Sequence, residues 1–488
     1  MRHLIGARSS FFTILESPSR GHAFSLYSLM RFSFRSLAQA ALAALLLLSL
    51  NAHAADAAPD KDRHVILISL DGFPAWIWRD PNLAIPNLRR LAAEGAVADA
   101  MTVSNPSVTW INHTTLVTGV NPEKHGVLYN GLLVRQGPTT PPTIMQWADK
   151  DKLVHVLTLY DTAFNAGLTT AEVDWVAVKN APTINWSFAE IPSPEGVIEK
   201  ELQVAGLLSP DQLANIATPV NITARDMQWT NAAAHILKTH KPNLLMFHLL
   251  TTDSVNHTYG PGTLASLTAY ANADQMVGQL LRALKESGLE EKTSIVVTTD
   301  HGFKKVQKLI YPNVALRKAG LLKALGPKVT SCDGYVFAQG GIAFAFVTDP
   351  ARKAELLPKL KETLEKVEGI DKVIDGTEGP KLGMPLPENN QGMGDLILYP
   401  KPGYAFQSLA AGDDEVVVST SYLGTHGYPN SDPDLDGIFV AWGKGIKPGM
   451  KLDRVANIDV APTLARLLGI TMPPMDGRVL EEILEPVK

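Results

Sequence analysis

Three stretches of the sequence decide the fold: VILISLD at residues 65–71, LLMFHLLTTD at 244–253 and SIVVTTDHG at 294–302. Each stretch is a short apolar run that leads to an acidic residue, which is Asp71, Asp253 or Asp300. Continuous apolar runs of this length are typical of central strands that are covered on both faces of a sheet. We therefore expect three buried strands that carry carboxylates at their ends.

Helical patterns lie between these strands, over residues 86–95, 224–239 and 264–287. Alternating strands and helices indicate an α/β domain with a mostly parallel central sheet. In such sheets, ligands bind beyond the carboxyl ends of the strands, which is where the three acids fall. We predict that the first part of this core spans residues 62–305.

The stretch from 306 to 420 has a different pattern. It combines a Lys- and Glu-rich amphipathic helix with short strands, at 351–367, 336–337, 342–347 and 396–399 respectively. We interpret it as a smaller α+β insertion, or cap, between two parts of the core. The second part of the core is predicted at 421–488, with a strand at 437–442 and a helix at 459–468.

The composition excludes several classes of protein. The chain has 488 residues, a formal net charge of −5 and one cysteine, Cys332. An acidic balance argues against a stable nucleic-acid complex, because proteins that coat nucleic acids are usually basic. One cysteine permits no disulfide within the chain and no cysteine-rich zinc site. Any metal is therefore expected on histidine and carboxylate ligands.

The N-terminus has the pattern of an export signal. An apolar run, AALAALLLL at 40–48, follows basic residues and precedes Ala52-His53-Ala54, which has the small-x-small pattern of a cleavage site. The run is short for a bilayer span, and a short membrane anchor is the alternative. We predict an N-terminal extension and signal peptide over residues 1–54, with the true start at Met30. The mature protein is then periplasmic or secreted, without a membrane span.

Two pairs of candidate metal ligands follow the second and third strands. Asp253 and His257 are four residues apart, so a helical turn would place both side chains on one face. Asp300 and His301 are adjacent at a strand end and could serve two different ions. Taken singly, each pair is more often a capped turn or a strand-end turn than a site.

Two further candidates complete the set. Asp71 follows the first strand, and His426 lies in the loop GTHG at 424–427, whose glycines allow close approach of the backbone. Each is an ordinary turn or loop residue when considered alone. Because the acids all fall at predicted strand ends, the joint pattern favours a metal site. Carboxylate and imidazole without thiolate suit catalytic zinc.

The segment NPSVTWINHTTLVTG at 105–119 contains the candidate nucleophile, Thr109. It has the pattern of a loop that passes into a helix. A hydroxyl at a helix N-terminus faces free backbone N–H groups and the positive end of the helix dipole, which suits a phosphate anion. The alternative is that the residue is simply an N-cap, since Ser and Thr are preferred there.

Taken together, these motifs resemble the alkaline phosphatase superfamily, and within it the nucleotide pyrophosphatase/phosphodiesterase branch. The resemblance covers roughly residues 64–304 and 390–475, with the motifs in the family's order. The matching motifs are ISLDGF at 68–73, TWINH at 109–113, TGVNPEKHG at 118–126, Asp253 with His257, TDHG at 299–302 and GTHG at 424–427. The resemblance implies an alkaline-phosphatase-like sandwich with an inserted cap.

The resemblance also implies a site of two Zn²⁺ ions. One ion would be held by Asp253, His257 and His426. The other would be held by Asp71, Asp300, His301 and the nucleophile Thr109. Asn112 matches the family's donor to a nonbridging phosphate oxygen. The implied reaction proceeds through a phosphothreonine intermediate, and the chain departs from many eukaryotic relatives by having Trp110 and Ile111 in place of Phe and Pro.

The expected activity is hydrolysis of a small-molecule phosphodiester or nucleotide by an exported, zinc-dependent phosphodiesterase. Phosphonoacetate hydrolase and phosphomonoesterase are the alternatives within the superfamily, although no Arg follows Thr109 to clamp a dianion. A sulfatase is disfavoured because Cys332 lies far from the Thr109 motif. A non-catalytic zinc-binding protein is the alternative of another class, but it would be expected to lack part of this residue set.

Overall fold

The three apolar stretches form neighbouring strands at the centre of an eight-stranded sheet in the computed structural model. The structure describes residues 59–216 and 221–486. The predicted signal peptide and start at Met30 lie outside the described residues, so they stay predictions. Residues from Pro59 onward form one compact unit.

Twelve of the strands build the two larger sheets. In chain order they are β1 (His64–Leu70), β2 (Ala96–Thr102), β3 (Thr170–Val173), β4 (Trp186–Phe188), β5 (Leu244–Leu249), β6 (Thr293–Thr298), β7 (Gly334–Gln339), β8 (Ile342–Val347), β9 (Ile370–Asp375), β10 (Leu396–Pro400), β11 (Gly437–Gly443) and β12 (Met450–Ala456). The other strands lie at Leu132–Val134, Thr143–Met145, Lys304–Lys305, Lys308–Ile310, Leu322–Leu325, Lys328–Cys332, Tyr404–Phe406, Val416–Val418 and Gly424–Thr425.

Seven helices cover the sheets or carry site residues. They are α1 (Pro86–Glu94), α2 (Thr109–Thr118), α3 (Ile222–Thr239), α4 (Thr251–Tyr259), α5 (Leu264–Glu286), α6 (Lys353–Glu365) and α7 (Val460–Leu468). Shorter helices occupy Ala75–Trp78, Pro122–His125, Lys150–Leu153, Leu159–Asn165, Val197–Val204, Pro210–Asn215 and Pro312–Lys318. Among the described residues, no helix is both long enough and apolar enough to cross a membrane.

The large sheet has the strand order β12-β2-β11-β6-β1-β5-β3-β4. Strand β1 runs parallel to β5 on one side and to β6 on the other. Only β11 is antiparallel to both of its neighbours, β2 and β6. The prediction of an α/β fold with a mostly parallel central sheet is therefore confirmed.

Helices cover both faces of this sheet, which explains why its central strands are continuously apolar. Along β1, Ile66 and Ile68 belong to one hydrophobic cluster, whereas Val65 and Leu67 belong to another. The first cluster includes residues of α1, α3 and α5, and the second includes residues of α2 and α7. Because successive side chains of a strand point to opposite faces, each apolar residue has a helix layer to pack against.

The second sheet is antiparallel, with the order β7-β8-β10-β9. One face packs against α6, through Leu356, Leu360 and Leu364. The other face, which includes Phe344 and Phe346 of β8, packs against the 128–133 segment that follows α2 in the chain. The predicted insertion boundaries at 306 and 420 stay predictions, since this contact makes the second sheet continuous with the rest of the compact unit.

Candidate active site

The candidate site lies where β1, β5 and β6 end. Ser69 of β1 pairs with His248 of β5 on one side and with Thr298 of β6 on the other. The residues that follow these positions therefore arrive at the same edge of the sheet. Asp71 is one of them, and its N–H donates to Leu249 O at 2.9 Å.

The predicted ligands of the first ion converge. The ligand atoms of Asp253, His257 and His426 lie within 4.8 Å of one another. Asp253 Oδ1 is 3.3 Å from His257 Nε2 and 3.8 Å from His426 Nε2. The i, i+4 spacing in α4 and the 424–427 loop thus bring two imidazoles to one carboxylate oxygen.

The predicted ligands of the second ion lie beside the first group. Asp71 and His301 form a ligand group of the same size with Asp253, so Asp253 belongs to both groups. His301 Nε2 is 3.4 Å from Asp71 Oδ1, 3.2 Å from Asp300 Oδ2 and 3.4 Å from Thr109 Oγ1. All of the predicted ligands are therefore brought together in one polar cluster.

Asp300 is fixed by its own hydrogen bonds. Its Oδ1 accepts from the N–H of Gly72 at 3.1 Å, from the N–H of His301 at 3.0 Å and from the Thr299 hydroxyl at 3.2 Å. Gly72 adopts a positive φ of 64°, and a Cβ there would lie 2.9 Å from the ring of Phe303. The glycine after Asp71 therefore lets the chain turn close to Asp300, whose Oδ2 is left to face the cluster.

The three histidines of the cluster are oriented in the same way. Each places Nδ1 against a backbone carbonyl oxygen: His257 against Gly424 at 2.9 Å, His301 against Gly302 at 3.1 Å, and His426 against Ser107 at 2.9 Å. A carbonyl oxygen only accepts hydrogen bonds, so Nδ1 must carry the proton. In the neutral imidazole, Nε2 is then a free lone pair that points at the carboxylates. This is the arrangement by which histidine binds a metal ion.

The carboxylates fit a divalent cation as well. Asp71 Oδ1, Asp253 Oδ1 and Asp300 Oδ2 are buried oxygens without a hydrogen-bond partner among the described residues. Burying an unpaired carboxylate is costly, so such groups normally pair with a cation or coordinate a metal. Lone pairs of imidazole and carboxylate facing each other repel unless a positive charge lies between them. The residues present therefore suit metal ions, and oxygen with imidazole nitrogen suits zinc.

The electrostatics of the carboxylates follow from this crowding. Burial, together with the nearby carboxylates of Asp300 and Asp253, raises the pKa of Asp71 well above its usual range. Burial also pushes the pKa of Asp253 upward, but His257 and His426 hold it below its ordinary value. Of Asp71 and Asp253, the acid shared by both ligand groups, Asp253, is therefore the one kept ionised.

The pKa values of the three imidazoles also shift in different directions. Burial lowers the pKa of His301 to about 4, and burial with the neighbouring His301 lowers that of His426 to about 3. Burial lowers the pKa of His257 too, but Asp253 outweighs it and raises the pKa above its usual value. A proton on His257 thus supplies the positive charge that Asp253 needs, and a bound metal would displace it.

Thr109 is the first residue of α2, and the preceding residue, Val108, occupies the N-cap position. Because Val108 and not Thr109 occupies that position, and no side chain caps the helix, the alternative of Thr109 as an N-cap is wrong. Every residue of α2 is buried, and Thr109 is 8% exposed. The hydroxyl therefore lies at the start of a buried helix, beside His301, and is free of a capping role.

The prediction for Asn112 is contradicted by its hydrogen bonds. The side chain is 0% exposed, and its Nδ2 donates to Pro106 O and Val108 O, both at 3.0 Å. Its Oδ1 accepts from the N–H of Ser104 at 2.8 Å and from Asn457 Nδ2 at 2.7 Å. Both amide protons are thus in use, so Asn112 has no donor for a phosphate oxygen. Its hydrogen bonds instead stabilise the loop that precedes Thr109.

A different asparagine, Asn130, is placed to contact a substrate. Its Oδ1 accepts from the N–H of Trp110 at 3.0 Å, which holds the side chain against the first turn of α2. The residue is exposed and lines a cavity with His257 and His426. Its Nδ2 donates to none of the described residues. Asn130 was not predicted from the sequence, although the Asn-Gly pair at 130–131 marks a turn shortly after the TGVNPEKHG motif.

A second layer of polar residues supports Asp71 and was also missed. His248 Nε2 is 3.1 Å from Asp71 Oδ2, and His248 Nδ1 is 3.0 Å from Asp174 O. Burial lowers the pKa of His248, but Asp174 and Asp71 outweigh it and raise the pKa well above its ordinary value. His248 lies inside an apolar strand, where sequence patterning gives no sign of a functional role.

One further group of ligand-type side chains lies elsewhere, on the helices beside β4. His235 Nε2 and His240 Nε2 lie 2.9 and 2.7 Å from Glu201 Oε2. The His240 ring stacks on Trp186 of β4, with ring centroids 4.6 Å apart. Because β4 is the edge strand, this trio is separate from the site at β1, β5 and β6.

Comparison with known proteins gives a consistent result. A family model described as type I phosphodiesterase/nucleotide pyrophosphatase matches residues 65–429. The chain is 26% identical to ectonucleotide pyrophosphatase/phosphodiesterase family member 7 of Rattus norvegicus over 442 residues, which are 88% of each chain. It is 26% identical to family member 1 of Homo sapiens over 429 residues, 84% of this chain and 40% of that protein.

Solved structures resemble the fold. Human ectonucleotide pyrophosphatase/phosphodiesterase 5 aligns with a TM-score of 0.66 and 19% identity, covering 87% of this chain and 100% of that one. An inactive variant of the murine protein, in complex with AMP, aligns with the same TM-score and 18% identity, at the same coverage. At these identities the likeness supports the shared α/β fold.

Proposed function

The chain belongs to the type I phosphodiesterase/nucleotide pyrophosphatase family, and from that premise we propose that it is an exported, zinc-dependent phosphodiesterase that acts through Thr109. Its family hydrolyses phosphodiester and pyrophosphate bonds, so the chain is an enzyme of this class. The proposal adds the metal, the nucleophile and the location of the protein.

One observation carries the metal dependence. Three buried carboxylate oxygens without hydrogen bonds face three imidazoles whose Nδ1 atoms are held by carbonyl oxygens. Asp253, His257 and His426 would hold one zinc ion, and Asp71, Asp300, His301 and Thr109 the other. Bound there, the ions would supply Lewis acidity that favours the alkoxide of the nucleophile and stabilises the leaving oxygen.

Thr109 would provide the covalent step. Its Oγ1 forms a bond to phosphorus while the bond from phosphorus to the leaving oxygen breaks, and the leaving group takes up a proton to depart as an alcohol. Water then attacks the phosphothreonine, and Thr109 recovers its hydroxyl as the phosphoryl product leaves. The position of Thr109 at the start of α2 supports this role, because the helix dipole favours negative charge there.

Asn130 and the first turn of α2 would stabilise the transferred phosphoryl group. The N–H groups at a helix start lack intrahelical partners, and an anion near them is favoured. Asn130 Oδ1 already accepts from the N–H of Trp110, so its Nδ2 remains as a donor on a residue that lines the cavity. A donor held in advance is worth more in the transition state than one that must reorient.

The substrate class rests on the relatives. A small nucleotide or another small phosphodiester is the proposed substrate, because an AMP complex of a related structure carries such a ligand. Export from a bacterial cell rests on the N-terminal sequence pattern alone. Phosphonoacetate hydrolase and phosphomonoesterase stay as alternatives until substrates are compared.

The test is a substrate comparison on the purified mature protein. Aryl phosphodiester, matching phosphomonoester and phosphonoacetate would be assayed with zinc, after chelation, and after zinc is restored. We expect the diester to have the highest kcat/KM, and chelation to abolish its hydrolysis reversibly. A preference for the monoester or phosphonoacetate would assign the protein to one of the alternatives, and full turnover in verified metal-free protein would exclude zinc dependence.

A further inference from the structure

A cavity of about 400 Å³ opens beside His257 and His426. Its other walls include residues of the second sheet and of a strand that follows it, which contribute Phe337, Gln339 and Phe406. The site cluster forms one end of the cavity, so a substituent on phosphorus would occupy the remainder. The chemistry of these walls therefore selects that substituent.

The walls are neutral. None of the described residues that line this cavity is Lys, Arg, Asp or Glu, and its only ionisable side chains besides tyrosine are His257 and His426. Both imidazoles belong to the proposed ligand set. An anionic substituent entering the cavity would lose its hydration without gaining a cationic side chain, which is unfavourable.

The walls offer apolar rings and neutral hydrogen-bonding groups instead. Phe337, Phe406 and Tyr422 supply the aromatic surface. Gln339 Nε2 is committed to Leu128 O at 3.0 Å, whereas the Gln407 side-chain amide makes no hydrogen bond with the described residues. Aromatic surface with a few neutral polar groups is typical of a pocket for an uncharged organic group.

The leaving group is the substituent that fits this position. Thr109 Oγ1 lies beside His301, whereas the cavity lies beside His257 and His426. In an in-line displacement, the attacking and leaving oxygens lie on opposite sides of phosphorus. With Thr109 as nucleophile, the leaving oxygen departs toward the histidines that line the cavity.

The two lysines that follow the TDHG motif line a different cavity. Lys304 and Lys305 line a separate depression with Trp76 and Asp434. Lys304 is also engaged by acids, since it pairs with Asp432 and lies 3.3 Å from Asp434 Oδ2. These cations are therefore not part of the walls beside His257 and His426.

We propose that this enzyme selects phosphodiesters whose leaving group is uncharged, and discriminates against phosphoanhydrides whose leaving group is phosphate or pyrophosphate. The inference rests on the proposed function, and narrows it from phosphodiester and pyrophosphate bonds to esters. A departing pyrophosphate carries several negative charges. The ion proposed at His257 and His426 would offset the charge on the leaving oxygen, and the neutral walls leave the remaining charges unpaired. An ester that leaves as an alcohol or phenol places only its developing charge at the site.

The test uses two substrates that share the retained nucleotide. Thymidine 5′-(4-nitrophenyl phosphate) releases nitrophenol, and thymidine 5′-triphosphate releases pyrophosphate. We expect kcat/KM for the ester to exceed that for the triphosphate by at least about tenfold, the size of one missing charge-assisted contact. Equal or faster turnover of the triphosphate would overturn the inference while leaving hydrolysis itself intact. Failure to hydrolyse either compound would overturn the proposed function and this inference with it.

A cationic side chain introduced into the cavity tests whether the neutral walls cause the selectivity between the two substrates. Gln407→Lys should raise kcat/KM for the triphosphate by about tenfold while changing that for the ester much less. Gln407→Met, a matched variant without charge, should leave the ratio of the two substrates unchanged. If Gln407→Lys leaves the ratio unchanged, or if Lys305→Gln lowers triphosphate turnover selectively, the selectivity does not come from these neutral walls.

Discussion

His248 Nε2 lies 3.1 Å from Asp71 Oδ2, and this contact connects the strand β5 to a proposed metal ligand that directly follows the neighbouring strand β1. The other ring nitrogen is held by Asp174, through the backbone oxygen at 3.0 Å and Oδ2 at 3.1 Å. Asp71 Oδ1 is left without a hydrogen bond, facing the cluster. His248 thus decides which oxygen of Asp71 is free to coordinate.

Replacing His248 should weaken zinc binding more than it weakens folding. His248→Gln keeps a polar side chain but loses the fixed imidazole, so Asp71 can rotate. Loss of such an outer contact typically costs about 10–100-fold in metal affinity. We expect a fall of this size in zinc affinity, measured by competition with a chelator, with kcat largely recovered at saturating zinc.

The matched control is His64, at the other end of β1. It is also buried, and its Nδ1 lies 2.8 Å from Pro242 O, away from the ligands. His64→Gln should cost stability without changing zinc affinity. If both variants bind zinc like the unmodified protein, His248 has no positioning role.

Thr109→Ala should remove most turnover. Folding should be nearly unchanged because the hydroxyl makes no capping contact, and zinc content should be nearly unchanged because Asp71, Asp300 and His301 remain as ligands of that ion. Thr109→Ser should retain some activity, since a primary hydroxyl can still attack phosphorus. Thr114 is the control within the same buried helix, where its Oγ1 donates to Trp110 O at 2.7 Å. Thr114→Ala should lower stability by about 1 kcal/mol and keep turnover. Near-normal kcat/KM in Thr109→Ala would refute the covalent mechanism.

Glu172 gives a prediction on pH dependence. Burial raises its pKa to about 7 from an ordinary value of 4.5, although Ser187 and the N–H of Trp175 donate to it. The folded state therefore holds a proton on Glu172 that the unfolded state releases. The stability that this proton contributes is complete below pH 4.5 and is lost as pH rises toward 7.

Glu172→Gln removes this titration while keeping the size of the side chain. Its stability relative to the unmodified protein should rise between pH 4.5 and 7, by about 3 kcal/mol for a shift of this size, and then level off. Urea unfolding of both proteins at fixed zinc across this range measures the difference. A difference that does not vary with pH would mean that Glu172 is not held protonated.

The central strands could be predicted within about one residue because they are buried on both faces. The predicted runs at 65–70 and 294–299 correspond to β1 (His64–Leu70) and β6 (Thr293–Thr298). Strand β3 and the edge strand β4 were not predicted, since each is only three or four residues long and carries polar residues. Strands this short are specified by the strands with which they pair, and a local sequence pattern does not contain that information.

The same limit explains which residues of the site could be predicted from the sequence. Ligands at strand ends could be predicted because topology alone brings them together, as it does Asp71 and Asp300. The sequence could not show which of Asn112 and Asn130 is the donor, because the two differ in whether the side-chain N–H groups already donate to other residues. Asn112 lies nearer to Thr109 in the chain, but burial has committed both of its protons to carbonyl oxygens.

Alanine variants of the two asparagines should therefore lose different properties, which are stability for Asn112 and turnover for Asn130. Asn112→Ala leaves Ser104 N–H and Asn457 Nδ2 without their buried acceptor, so we expect a loss of stability of about 3 kcal/mol. Asn130→Ala removes an exposed donor, so folding and zinc content should hold while kcat/KM falls about 10²–10³-fold, as for one oxyanion donor. Urea unfolding, zinc content and diester kinetics on each variant separate the two. The opposite result would be an Asn112→Ala variant that unfolds at the normal urea concentration but loses turnover, together with an Asn130→Ala variant that keeps its turnover. In that case Asn112 is the phosphate donor, and the hydrogen bonds described for Asn112 do not persist during catalysis.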